Sequence, residues 1–211
     1  MNSERIFSSD VAFTASVKAI QNRRGSRRAY ERVEANGSWP THITADLKVF
    51  IEAQTSVFLA TANLEGQPYI QHRGGPAGFL KVLDNNSVGF ADFAGNRQYI
   101  TLGNLNDNSR VCLFLIDYAN RRRVKIWGNA RVVESDVKLI TELMPNAYRA
   151  RPEQAIILTV SAWDSNCSQH IPVRLESADV SAALSERNNR ILLLEAELER
   201  MRGIIDGTSL E

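Results

Sequence analysis

The chain has 211 residues, 44% of them hydrophobic and 23% charged, with a formal net charge of +1 at pH 7. These values describe an ordinary globular chain of one domain plus appendages, and the near-neutral balance argues against a nucleic-acid surface, which carries a clear basic excess. No apolar run approaches the roughly 20 residues of a membrane helix, the N-terminus with Glu4 and Asp10 has no apolar signal region, and Cys112 and Cys167 form no Cys-x-x-Cys pair, so the expectation is a cytoplasmic protein without a disulfide framework.

The first 55 residues read as helical. Asp10 is placed to cap a segment with Val11, Ala15, Lys18 and Ala19 at helical spacing, which Gly25 would close. The basic run Asn22 to Arg28 is either a solvated helix end, favoured by the macrodipole, or an anion contact. A second helix is predicted over Ser26 to Ala35, and Thr44 or Asp46 opens a third with Leu47, Phe50 and Ile51 on one face.

From Ser56 the pattern changes to strands. Val57 to Ala62 and Tyr69 to Gln71 flank the turn Asn63-Leu-Glu-Gly66; Gly78 to Leu83 and Ser87 to Phe90 flank Asp84-Asn85-Asn86. Arg110 to Tyr118, Arg122 to Val133 and Ala155 to Trp163 continue the set, and about six or seven short strands favour an antiparallel barrel over a βαβ layout. Ser135 is read as the cap of a helix over Asp136 to Met144, ended by Pro145.

After the strands, Ala178 to Arg202 is a long helix by propensity. Val180, Leu184, Ile191, Leu194, Leu198, Met201 and Ile205 trace a heptad seam broken once at Arg187, which needs a partner: either the chain's own barrel or the same helix of a second subunit. The chain thus divides into a helical extension (1–55), a strand domain (56–173) and a C-terminal helix (174–211).

Three clusters carry candidate chemistry. Gly66 to Lys81 is a cationic, glycine-rich crossing between strands, where Gly74, Gly75 and Gly78 allow close backbone approach and Arg73 and Lys81 supply a planar fork and a point charge for an anion. It matches neither the Rossmann nor the P-loop spacing. Phe90 to Gln98 again ends a strand with glycine, an amide and an arginine, and Arg121 to Gly128 opens a strand with basic residues. Cys167-x-x-His170 would be half a metal site, but no second pair accompanies it, so no metal is assigned.

In order and spacing, His72-Arg-Gly-Gly-Pro76, Gly95-Asn-Arg-Gln98 and Asn166-Cys-x-x-His-Ile171 resemble the pyridoxamine 5'-phosphate oxidase-like, FMN-binding split-barrel proteins, over about Phe50 to Pro172. The resemblance implies a mainly β chain with flanking helices, an antiparallel split β-barrel of Greek-key type, and a homodimer with FMN at the subunit interface. It assigns Arg73, Gly78, Phe79, Leu80 and Lys81 to the border of the flavin ring and ribityl chain, Asp92 to the strand lip, Asn96, Arg97 and Gln98 to the phosphate, and Arg123 to the partner's site. A flavin phosphate of nearly two negative charges calls for such converging cations.

For substrate the resemblance offers His72, which either polarises a bound group or caps a loop, and Tyr148 with Arg151, similar to a Tyr and Arg phosphate clamp but one residue more closely spaced. The family's C-terminal Arg-x-His element has no clear equivalent here, and the Gly-Gly-Pro-Ala-Gly insert after Arg73 reshapes the pocket. The implied function is an FMN-dependent oxidoreductase acting on a small anionic molecule. A non-catalytic flavin or haem carrier or sensor is the alternative, and a deazaflavin would be a different cofactor for the same cradle.

Overall fold

The computed structural model describes residues 6–166, 168–175 and 177–208, with the backbone alone for Asn166 and for 203–208. Strands β1 (Ser56–Ala62), β2 (Pro68–Gly74), β3 (Lys81–Asp84), β4 (Ser87–Phe93), β5 (Arg110–Asp117), β6 (Arg122–Val133) and β7 (Pro152–Asn166) form one sheet in the order β2-β1-β5-β6-β7-β4-β3. Every pairing is antiparallel. Two hairpins therefore flank a three-stranded meander, as a split barrel requires. In β1, β5 and β6 buried residues alternate with more exposed ones, whereas β4 is buried along most of its length.

Val57 and Leu59 of β1, Val88 and Phe90 of β4, Leu113 and Leu115 of β5, Val124 and Ile126 of β6, and Ile156 and Leu158 of β7 are buried in one cluster, so five strands share a single interior. Leu47, Phe50 and Ile51 plug it from α3 (Ala45–Glu52), whose Thr44 accepts from the Leu47 amide at 3.2 Å. Gly128 sits where β6 shifts register against β7, and a Cβ there would lie 2.1 Å from the Thr159 carbonyl oxygen.

The compact unit that contains the barrel spans residues 1–117 and 122–169, so the N-terminal helices belong with the strands. Helices α1 (Ala15–Arg24) and α2 (Arg27–Ala35) are joined by Gly25, left-handed at φ 80° as expected. The cap of α1 is Thr14, which accepts from the Val17 amide, and not Asp10; that carboxylate is already held by the Phe7 amide and by Lys18 at 2.6 Å. Within the basic run Arg27 is buried against Glu34 and Gln21, whereas Arg23, Arg24 and Arg28 are exposed, the arrangement of a solvated helix end. Trp39 stacks on Trp127 with centroids 4.9 Å apart, and the Trp163 indole donates to the His42 carbonyl at 2.9 Å, fixing the extension to β6 and β7.

Two further helices flank the sheet. Helix α4 (Ile100–Asp107) follows β4, a segment for which no helix was predicted. Helix α5 (Val137–Leu143) is capped by Asp136, which accepts from the Leu139 amide at 2.9 Å; Ser135, the predicted cap, lies one residue too early. The strand expected from Gly78 begins only at Lys81, because Gly78 takes φ +84° and donates its amide to the Glu52 carbonyl at 2.8 Å.

The second unit comprises 118–121 and 170–211, including helix α6 (Ser177–Thr208). Among the described residues no helix is long and apolar enough to cross a membrane. Cys167, the first half of the Cys-x-x-His pair, lies outside the described residues, as does the side chain of Ile205 in the predicted seam.

Candidate functional site

Strands β2 and β3 are the two ends of the sheet, and the site lies where those ends approach. Arg73, near the end of β2, donates from Nη1 to Asp92 Oδ1 on β4, and Asp92 Oδ2 accepts from Gln154 Nε2 of β7 at 2.8 Å. A buried chain of three polar groups thus spans the split that backbone hydrogen bonds leave open. Burial lifts the Asp92 carboxyl above the ordinary aspartate range, with Glu153 adding to the rise and Arg73 and Gln154 opposing it. The Arg73 Nε is buried and has no hydrogen-bond partner. An orphaned guanidinium donor beside a cleft is a place for an external acceptor.

Around this chain runs a continuous groove. Its central part, about 260 Å³, is lined by Tyr69, Gln71, Arg73, Asp92, Asn96, Arg97, Gln98, Thr101 and Gln154 among others. On one side it shares Arg73, Asp92 and Phe93 with a smaller cleft that includes His72 and Phe79. On the other side it shares Tyr99, Leu102, Glu153 and Gln154 with a cleft that includes Arg151.

One wall is built by the turn from β4 into α4. Arg97 and Tyr99 take left-handed backbone conformations, φ 59° and 54°, which bend the chain sharply around Gln98. Tyr99 occupies the cap position of α4 without a side-chain hydrogen bond, and the first-turn residues Ile100, Thr101 and Leu102 line the groove. Uncapped amides at a helix N-terminus carry partial positive charge suited to an anion. Thr101 donates to Gln71 at 2.9 Å, and Asn104 donates to Thr61 at 2.9 Å, so α4 is pinned to β2 and β1.

Of the residues assigned from the sequence, Arg73, Asp92, Asn96, Arg97 and Gln98 line the central groove, His72 and Phe79 line one side cleft and Arg151 the other. Phe79 and Leu80 are 1% and 0% exposed, so their side chains belong to the core. Lys81 does not line the groove, because its Nζ donates to the carbonyls of Glu142 and Met144 at 2.6 and 3.2 Å, at the C-terminal end of α5. Arg123 stands on β6 outside the groove and buries an Nε that has no partner. Tyr148, an exposed residue, does not line the groove but packs edge-on against Phe93, which does, with centroids 5.3 Å apart. The His72 Nε2 lies 2.8 Å from Ser56 Oγ, and His170 is exposed with φ 67°.

Gln71, Thr101 and Gln154 were missed. The alternation Tyr69, Gln71, Arg73 on β2 was a usable signal for Gln71, since residues two apart share a face. Helix α4 offered none at its start, because Tyr99 is not a capping residue type.

The family model described as pyridoxamine 5'-phosphate oxidase matches residues 43–167. No curated protein matches the chain. Among solved structures, HupZ of Group A Streptococcus is similar over 63% of this chain and 99% of its own, at 17% identity and a TM-score of 0.49. An FMN-binding protein from Syntrophomonas wolfei is similar over 72% and 95%, at 10% identity and a TM-score of 0.47. HutZ, the heme storage protein of Vibrio cholerae, is similar over 56% and 89%, at 16% identity and a TM-score of 0.41. Because the family match takes in over half of the chain, including the whole barrel and every residue of the groove, this protein belongs to the pyridoxamine 5'-phosphate oxidase family.

Proposed function

We propose that the groove holds FMN and that the protein is an FMN-dependent oxidoreductase acting on a small anionic substrate. The observation that carries this reading is the convergence of the partly orphaned Arg73, the Asn96-Arg97-Gln98 turn and the uncapped start of α4 on one groove. Arg97, Asn96 and the first-turn amides of α4 hold the phosphate end, and Arg73 donates to the ring edge. Asp92 and Gln154 keep the Arg73 fork oriented. When bound, FMN supplies the hydride chemistry; the chain's residues bind, orient and exclude water.

Within one copy the central groove balances Arg73 and Arg97 against Asp92 and Glu153. A phosphate of nearly two negative charges therefore gains little net attraction from a single copy. That balance supports a homodimer in which Arg123, with its own unpartnered Nε, completes the groove of a second copy. Arg151 and His72, at opposite ends of the groove, are assigned to the substrate.

The test begins with the purified protein: chromophore released by denaturation is identified, and the stripped protein is titrated with FMN. Release of FMN, or its tight rebinding, is the expected result; the absence of both would overturn the cofactor assignment. Anaerobic bleaching by NAD(P)H or pyridoxamine phosphate would then support an oxidoreductase, whereas a bound flavin that neither reduces favours a carrier or sensor.

A further inference from the structure

Among the described residues, helix α6 carries an exposed apolar stripe. Val180, Leu184, Ile191, Leu194, Leu198 and Met201 are between 39% and 55% exposed, a high value for large apolar side chains in register. Their alternating spacing places Leu184, Ile191 and Leu198 at the a positions of a heptad and Val180, Leu194 and Met201 at d, with Arg187 at the remaining d.

The charges beside the stripe say which partner fits. Arg190 and Glu197 fall at g, Glu195 and Arg202 at e, and none of the four makes an ion pair with a described residue. In two parallel helices in register, each g residue faces the e residue five positions on in the other chain. Arg190 then meets Glu195 of a second copy and Glu197 meets Arg202, each twice by symmetry, and no like charges meet along the flanks. In an antiparallel pair g faces g and e faces e: Arg190 still meets Glu197, but Glu195 and Arg202 meet only Asn188 and Ser181. Arg187 separates the two arrangements as well. Parallel pairing confines both copies of Arg187 to one layer, where their long stems reach out to water, whereas antiparallel pairing sets Arg187 against Leu198 in two layers.

We propose that α6 pairs with α6 of a second copy of this chain as a parallel, in-register coiled coil. The seam is specified by its own flanking charges, and its formation does not depend on what occupies the groove.

Disulfide trapping in the full-length protein tests it. L194C brings two d-position thiols across the seam, whereas L192C places them on the outer face; the unaltered chain, with Cys112 and Cys167, sets the background. Under oxidised glutathione at micromolar protein, L194C is expected to form a covalent dimer at least about tenfold faster than L192C. Adding E195R turns two attractive pairs into repulsive ones and should slow trapping about tenfold, and adding R190E as well should restore the rate to within about threefold. If L194C traps no faster than L192C, or the charge swap fails to restore trapping, the parallel seam is overturned.

Discussion

Replacing Arg73 with leucine probes the energetics of the joined sheet ends. The Arg73 and Asp92 side chains are 14% and 5% exposed, so the substitution leaves a carboxylate buried with only the Gln154 amide for company. Breaking a buried pair in this way costs about 3–5 kcal/mol, and burial of the leucine offsets part of it, which places R73L about 3 kcal/mol below the parent at pH 8. The Asp92 carboxyl is already raised by burial, and losing the guanidinium that opposes the rise lifts it further. A carboxyl raised in the folded state binds protons the unfolded chain does not, so its contribution is full at low pH and is lost as pH rises through the folded value. The R73L deficit should therefore be smaller at pH 5 than at pH 8. Urea unfolding at the two pH values reads this as a midpoint about 1–2 M below the parent at pH 8 and a smaller gap at pH 5. An equal deficit at both pH values, or a double variant R73L/D92N no more stable than R73L at pH 8, would refute the reasoning.

Burial pushes the Cys112 thiol from 9.0 up to about 11, so at pH 8 its thiolate fraction is about a hundredfold below that of a free thiol and iodoacetamide labelling, followed by peptide mass spectrometry, should be slower to match. G128A forces a Cβ against the Thr159 carbonyl, a backbone atom that cannot step aside, and should cost about 3 kcal/mol or more in urea unfolding; a loss under 1 kcal/mol would mean that the β6–β7 bulge is free to reopen. K81M removes two charge-assisted bonds from the end of α5 and should lower stability by about 1–2 kcal/mol while leaving FMN titration within about threefold of the parent. R97M should do the reverse, and equal losses of FMN affinity in K81M and R97M would return Lys81 to the phosphate.

The barrel was legible because its signal is local. Val57, Leu59 and Thr61 alternate with outward residues in β1, and the same period of two recurs in β5 and β6, so these strands announce themselves. The side-chain groove was half legible. Arg73, Asp92 and Asn96 to Gln98 stand beside turn residues in the sequence, and their chemistry drew attention to them. Lys81 has the same chemistry and sits eight residues from Arg73, yet it caps a helix 61 residues further on. Nothing in its neighbourhood encodes that, because the α5 end reaches Lys81 through the pairing of β4 with β7. The caps failed for a related reason: Asp10 and Ser135 are sound capping residues, but Thr14 and Asp136 stand closer to the first helical turn, and one or two positions decide which oxygen meets an amide.

The position of the groove follows from how the sheet ends meet. An antiparallel sheet closed by backbone bonds would seal β2 against β3 and leave no cleft; here, among the described residues, Arg73 of β2 reaches across to Asp92 of β4, which Gln154 of β7 also holds. The tie is made by side chains, and it leaves the buried Arg73 Nε without a hydrogen-bond partner beside the groove. Helix α4 then lies across the opening, held by Thr101 on Gln71 and Asn104 on Thr61, and aims its uncapped first turn at the same space. In the proposed reading, the guanidinium that ties the barrel is also the one that meets the ligand. Conditions that neutralise Asp92 should loosen its grip on Arg73 while relieving the buried charge, which separates the two roles: the contribution of Asp92 to stability rises toward acid, whereas orientation of the Arg73 fork, and with it affinity for the proposed ligand, falls.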